Sequence, residues 1–148
     1  MLNEDYKDIL QILLKNRVKF LLVGAYAMGA HGFPRATGDI DMWIEASKEN
    51  SLKVYASLTE FGAPLNEITE TTFAEEGMAF QIGVAPRRID IITKVSGLQF
   101  NQAYQQRQDV EIEGLKIPIV SLNDLIKNKE SAGRDKDISD AKRLKERK

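Results

Sequence analysis

Apolar residues recur at helical spacing near the start of the chain. Tyr6, Ile9, Leu10, Leu13 and Leu14 share one face, with Asn3 placed to cap the helix. Glu4 and Asp5 fall in its first turn, where the helix dipole favours acids. Phe20–Val23 is a short continuous apolar run and predicts a buried strand. Gly24 then opens a small-residue stretch to Ala30, a short helix, and Gly32, Pro34 and Gly38 mark an irregular connection. Asp39–Ile44 alternates polar and apolar positions and predicts a strand. Ser47 caps a helix whose Leu52, Tyr55, Leu58 and Phe61 share a face, and Gly62 and Pro64 stop it.

The polar stretch Asn66–Gly77 reads as a loop or short helix. Met78–Val84 and Ile89–Thr93 are strand candidates joined by a turn at Pro86-Arg87. Phe100, Ala103 and Tyr104 suggest a short helix, and Val110–Ile112 and Leu115–Val120 a hairpin around Glu113-Gly114. Ser121 and Asp124 resemble a capping box for a helix to about Ala132. Gly133 breaks it, and a last helix runs from about Asp135. No repeat, linker or low-complexity tract interrupts this alternation, so a single α/β or α+β domain around one sheet is expected over residues 1–148.

Composition narrows the chemistry. The chain has no cysteine and one histidine, His31. Thiolate catalysis, disulfides and Cys-based zinc sites are excluded, and the absence of cysteine fits a reducing cytoplasm. His31 is read as bracing the short helix. No apolar run approaches the ~20 residues of a membrane span, and no secretory leader pattern opens the chain. The net charge of −1 hides an asymmetry: residues 1–126 carry 12 Lys+Arg and 17 Asp+Glu (net −5), while residues 127–148 carry 9 and 5 (net +4).

Three carboxylates break the core pattern. Asp39 and Asp41 lie two apart on a strand and so point to one face, opposite Ile40, Met42 and Ile44. Asp90 interrupts the apolar run Ile89-Asp90-Ile91-Ile92. If those strands are neighbours, the three converge and call for a counter-ion, for which Mg²⁺ with its hard oxygen ligands is the natural partner. A plain solvated strand face is the alternative for Asp39 and Asp41. Gly24 and Ala25, at a strand-to-helix turn, add backbone N–H groups able to hold phosphate.

In that order, Gly24-Ala25, Asp39-Ile40-Asp41 and Asp90 resemble the nucleotidyltransferase superfamily related to DNA polymerase beta. More narrowly, the chain resembles small bacterial and archaeal nucleotidyltransferase-like proteins related to abortive-infection toxins. The stretches that carry this are His31-Gly32 through Arg35, Thr37 and Asp39-Ile40-Asp41; Gly83 through Pro86, Arg88 and Ile89-Asp90; and Leu125-Ile126, Lys129, Gly133-Arg134 and Lys136-Asp137. The resemblance implies a mixed, mostly antiparallel sheet with helices packed on one face. It implies transfer of a nucleoside monophosphate from a nucleoside triphosphate to an acceptor hydroxyl, with one or two Mg²⁺ held by Asp39, Asp41 and Asp90. Asp90 would also help deprotonate the acceptor, and Gly24, Ala25, Lys129 and Arg134 would contact phosphate. Arg35 and Thr37, just before the Asp39-Ile40-Asp41 strand, suit either phosphate or a structural role, pairing with a carboxylate or satisfying loop carbonyls. The acceptor would be an RNA or a protein, and a partner protein encoded nearby is expected.

Alternatives stay open. Gly24-Ala25 departs from the Gly-Ser or Gly-Gly of the superfamily, which admits a degenerate interaction module, such as one half of a toxin–antitoxin pair. Lys129, Arg134 and Asp137 equally suit an ion-pair network between the last two helices. Trp43 suits either base stacking or packing. The basic C-terminal segment suits RNA or simply a helix C-terminus.

Overall fold

The computed structural model describes residues 2–33, 38–84 and 86–147. The elements follow in the order α1 (Glu4–Lys15), β1 (Phe20–Val23), α2 (Gly24–Ala30), β2 (Ile40–Ile44), α3 (Lys48–Phe61), a 3₁₀ turn (Thr72–Ala74), β3 (Ala79–Ile82), β4 (Ile89–Ile92), α4 (Phe100–Gln105), β5 (Gln108–Ile112), β6 (Leu115–Ile119), α5 (Leu122–Ala132) and α6 (Asp135–Arg147). The capping residues act as their side chains allow. Asn3, Ser47 and Ser121 accept from the backbone N–H of Tyr6, Asn50 and Asp124, at 2.8, 3.1 and 3.1 Å.

The strands form one six-stranded sheet in the order β3-β4-β2-β1-β6-β5. Pairing is antiparallel for β1–β2, β3–β4 and β5–β6, and parallel for β1–β6 and β2–β4. This is the mixed, mostly antiparallel sheet expected. The four residues of β1 are all buried, which explains why its sequence is continuously apolar rather than alternating. Ile40, Met42 and Ile44 are fully buried on one side of β2. Trp43, on the side of Asp41, is only 2 % exposed and meets Phe100 of α4 edge-on, with ring centroids 5.2 Å apart. It packs, and it is closed to a stacked base. Full burial of such side chains contributes roughly 1.5–3 kcal/mol each.

Helix α1 packs on α3, and α5 on α6. Leu14 falls at the half-exposed edge of α1, beside the buried stripe of Tyr6, Ile9, Leu10 and Leu13. One buried polar side chain ties three elements together. Asn50 of α3 accepts from Lys19 N at 2.8 Å and donates to Lys19 O at 3.0 Å and Glu45 O at 2.9 Å. The start of β1 and the end of β2 are thereby pinned to one helix, with every polar atom of that buried amide used.

Candidate active site

The site forms where β1, β2 and β4 lie side by side. Val23 stands opposite Asp41 across the antiparallel pair, and Asp41 opposite Asp90 across the parallel one. Strand register therefore sets two carboxylates next to each other, within hydrogen-bonding reach. Asp90 is buried and Asp41 half-buried. Burial, followed by the facing Asp90 and the charge of Asp39, pushes the Asp41 carboxyl up to about 7. Near neutrality the pair thus retains a proton.

Asp39 sits one residue before β2 and is held by Arg88. The Arg88 backbone N donates to Asp39 Oδ1 at 3.2 Å, and its Nη2 is 3.4 Å from Oδ2. The same guanidinium places Nε 2.9 Å from Asp90 Oδ1 and donates to Oδ2 at 3.2 Å. Arg88 therefore bridges two of the three acids, and Asp90 in turn strengthens its hold on its proton. It was missed as a functional residue in the sequence. The signal was there: Arg88 and Asp90 are two apart on one strand edge, so a cation and an acid must share a face.

Behind this cluster, the Tyr6 hydroxyl donates to the carbonyl of Gly38 and to Arg88 O, the latter at 3.2 Å. Burial, with Tyr26 and Asp39 nearby, pushes Tyr6 up to about 12, so the hydroxyl stays a donor. It ties the segments entering β2 and β4 to α1. Gly24 has φ +69°, and a Cβ there would collide with Asp41 Oδ2. That position is glycine because the backbone turns left-handed while the Asp41 carboxylate rests against it. Ala25 follows at the start of α2, half-buried.

Two of the other candidates meet carboxylates of the last helix. Lys129 lies between α5 and α6, with Nζ 3.6 Å from Asp137 and 3.3 Å from Asp140, both of which are buried. Arg134 places Nε 2.7 Å from Asp137 and holds that carboxyl below its usual range. The interhelical ion-pair network is what these residues form. Arg35 and Thr37 lie outside the described residues. His31 Nε2 is 2.8 Å from Val120 O, bracing the end of α2 against the end of β6.

All donors at the cluster are carboxylate oxygens, the set that suits a hard divalent cation, and Mg²⁺ commonly takes one or two carboxylates. The facing pair Asp41 and Asp90 fits that need. Among the described residues, no three acidic or histidine groups converge on one point that would hold a metal, because Asp39 is drawn to Arg88.

A family described as "Nucleotidyltransferase of unknown function (DUF6036)" matches residues 1–145. The chain belongs to this family. Solved structures similar to this DUF6036 nucleotidyltransferase include a candidate nucleotidyltransferase from Thermotoga maritima, 15% identical, with a TM-score of 0.66 over 100% of this chain and 97% of that one. A lincosamide antibiotic adenylyltransferase, LnuA, solved with lincomycin bound, is 15% identical with a TM-score of 0.63, covering 100% and 99%. The antibiotic-resistance factor ANT(2'')-Ia is 15% identical with a TM-score of 0.61, covering 95% and 80%. At such identities these likenesses show the nucleotidyltransferase fold. No curated protein matches the sequence of this DUF6036 member. Among its described residues no helix is long and apolar enough to cross a membrane.

Proposed function

We propose that the protein moves a nucleoside monophosphate from a nucleoside triphosphate to an acceptor hydroxyl, at Asp39, Asp41 and Asp90. The observation that carries this reading is the parallel register that sets Asp41 against Asp90, with Arg88 joining Asp90 to Asp39. A buried and a half-buried acid facing each other raise the free energy of the fold, a cost that suits a site where a cation or a reacting proton uses them. Asp41 and Asp90 would hold Mg²⁺, with Asp39 joining them on release from Arg88. When bound, the ion supplies charge stabilisation at the phosphate oxygens.

The residues then divide the work. With the proton shared by Asp41 and Asp90 displaced on cation binding, Asp90 accepts the acceptor's hydroxyl proton. As the acceptor oxygen bonds to the α-phosphorus, the bond to the β-phosphate oxygen breaks and pyrophosphate leaves. Arg88, once turned from Asp39, offers its guanidinium to the phosphates. Tyr6 holds the segments entering β2 and β4, and Asn50 the start of β1 and the end of β2, so that the carboxylates keep their spacing. The acceptor hydroxyl belongs to an RNA or a protein in this reading.

Pyrophosphate release and label transfer from α-labelled triphosphates in Mg²⁺ test the proposal. Asp41→Asn is expected to abolish both while the far-ultraviolet circular dichroism stays unchanged; full transfer by that variant overturns it. The cation that Arg88 already supplies favours a second reading, an interaction module that needs no metal, such as one partner of a toxin–antitoxin pair. Titration calorimetry with Mg²⁺ and each triphosphate separates the two, because the module gives no heat of nucleotide binding.

A further inference from the structure

A second charged feature lies at the other end of the sheet. A cavity of about 450 Å³ is lined by Arg17, Lys19, Lys53, Arg107 and Lys116, with Asp109 as its acid. Lys19 immediately precedes β1, whose far end, Val23, stands opposite Asp41. Four residues of strand at about 3.3 Å each put the cavity roughly 13 Å from the carboxylates. Five cations against one acid is anomalous in a body that is net −5 through residue 126.

Internal carboxylates do little to neutralise them. Lys19 is 3.8 Å from Glu45, and Lys53 is 3.5 Å from the exposed Glu49, pairs of the weak surface kind. Among the described residues Arg17 and Lys116 make no ion pair, although Glu111 stands opposite Lys116 across the β5–β6 pair. Arg107 is fixed in place. It lies 4.1 Å over the Tyr104 ring, donates to Tyr104 O at 2.9 Å and meets Asp109 at 3.2 Å.

Arg17 adds a separate argument. It follows the C-cap of α1 with φ 58°, while Val18 N bonds back to Leu13 O at 3.0 Å. That is the left-handed position where glycine is the usual residue. An arginine there carries backbone strain and gains no carboxylate, while its side chain reaches the cavity. Two unpaired cations beside three that are only weakly or singly paired suit an anion with several charges of its own.

We propose that this cavity is a second binding site, distinct from the carboxylate cluster, for a ligand bearing clustered phosphates. Recognition is by charge rather than by base stacking, because Tyr104 is covered by Phe100 on one side and by Arg107 on the other. The same chemistry comes from a small polyphosphate or from a nucleic-acid backbone, and the two differ in length and salt response.

The experiment uses the full chain in chelator, which removes metal-assisted phosphate binding at the carboxylates. Inorganic tripolyphosphate and a fluorescent single-stranded RNA 12-mer are the two probes. Wild type is expected to bind at least one of them at low salt. A variant carrying Arg17→Gly and Lys116→Gln is expected to lose affinity about tenfold, while Asp41→Asn retains it. Arg17→Gly relieves the left-handed strain, so this variant stays folded. Tighter binding of tripolyphosphate assigns a small polyphosphate. Tighter binding of the RNA, weakening roughly 20-fold between about 50 and 200 mM salt as three phosphate contacts require, assigns a backbone. Absence of binding by wild type overturns the proposal. So does unchanged affinity in the double variant, or loss in Asp41→Asn alone, which would place the probe at the carboxylates.

Discussion

Asp41→Asn should make the metal-free protein more stable, although it removes a residue of the proposed active site. The Asp41 carboxyl titrates near 7 in the fold against an ordinary 3.8. The folded state therefore holds a proton that the unfolded chain releases, and stability falls as pH rises between those two values. The penalty is nearly absent at pH 4 and complete above pH 7. At 1.36 kcal/mol per pH unit, a gap of about three units sets a ceiling of about 4 kcal/mol. Asp41 retains some solvent contact, and asparagine brings its own unmet donors, so about 2 kcal/mol is expected. For a chain of this size that is roughly 4–8 °C in melting temperature. The assay is thermal melting of wild type and variant in chelator at pH 4 and pH 8, repeated at pH 8 with Mg²⁺. Without metal the variant should melt higher at pH 8 and equal to wild type at pH 4. With Mg²⁺ at 100 times its dissociation constant, wild type alone gains about 2.7 kcal/mol and the order reverses. A wild type that melts as high as the variant at pH 8 in chelator refutes the reasoning, as does a difference that ignores pH.

Three further outcomes follow from the same geometry. Arg88→Met leaves Asp39 and Asp90 without their shared cation, so the gap in melting temperature between chelator and Mg²⁺ should widen relative to wild type; an equal gap counts against the bridging role. Gly24→Ala meets both the left-handed backbone and the Asp41 carboxylate, and should lower stability by about 1–3 kcal/mol in urea unfolding and weaken Mg²⁺ binding in calorimetry. Lys129→Met removes the ammonium between the buried Asp137 and Asp140 and should cost about 3 kcal/mol in the same unfolding experiment, with nucleotide binding unchanged.

The elements themselves were readable because each carries its own local instruction. Asn3, Ser47 and Ser121 announce helix starts, Gly62 and Gly133 announce ends, and the apolar runs of β1 and β4 leave little choice. The acids were also visible, since Asp90 inside Ile89–Ile92 has no place in an ordinary core strand. Which strands become neighbours depends on packing across the whole sheet, so the register that joins Asp41 to Asp90 could be posed only as a condition. The bridge from Arg88 to Asp39 was hidden for a related reason: the two lie 49 positions apart. Lys129 and Arg134 looked equally suited to phosphate and to carboxylate, and only the approach of α6 shows which partner each has found. Trp43 was undecided until α4 was seen to cover it.

The pairing of β2 with β4 has a kinetic side. Antiparallel neighbours such as β5 and β6 meet across a two-residue turn, whereas Asp41 and Asp90 meet across 49 positions that include all of α3. Long closures of this kind are slow steps in folding, since chain entropy is lost before any contact rewards it. The step that brings β4 home is also the one that forces two acids together. A chain emerging from the ribosome can pair β1 with β2 early, but its proposed site is incomplete until β4 has docked. The proposed chemistry is thus tied to completion of the sheet.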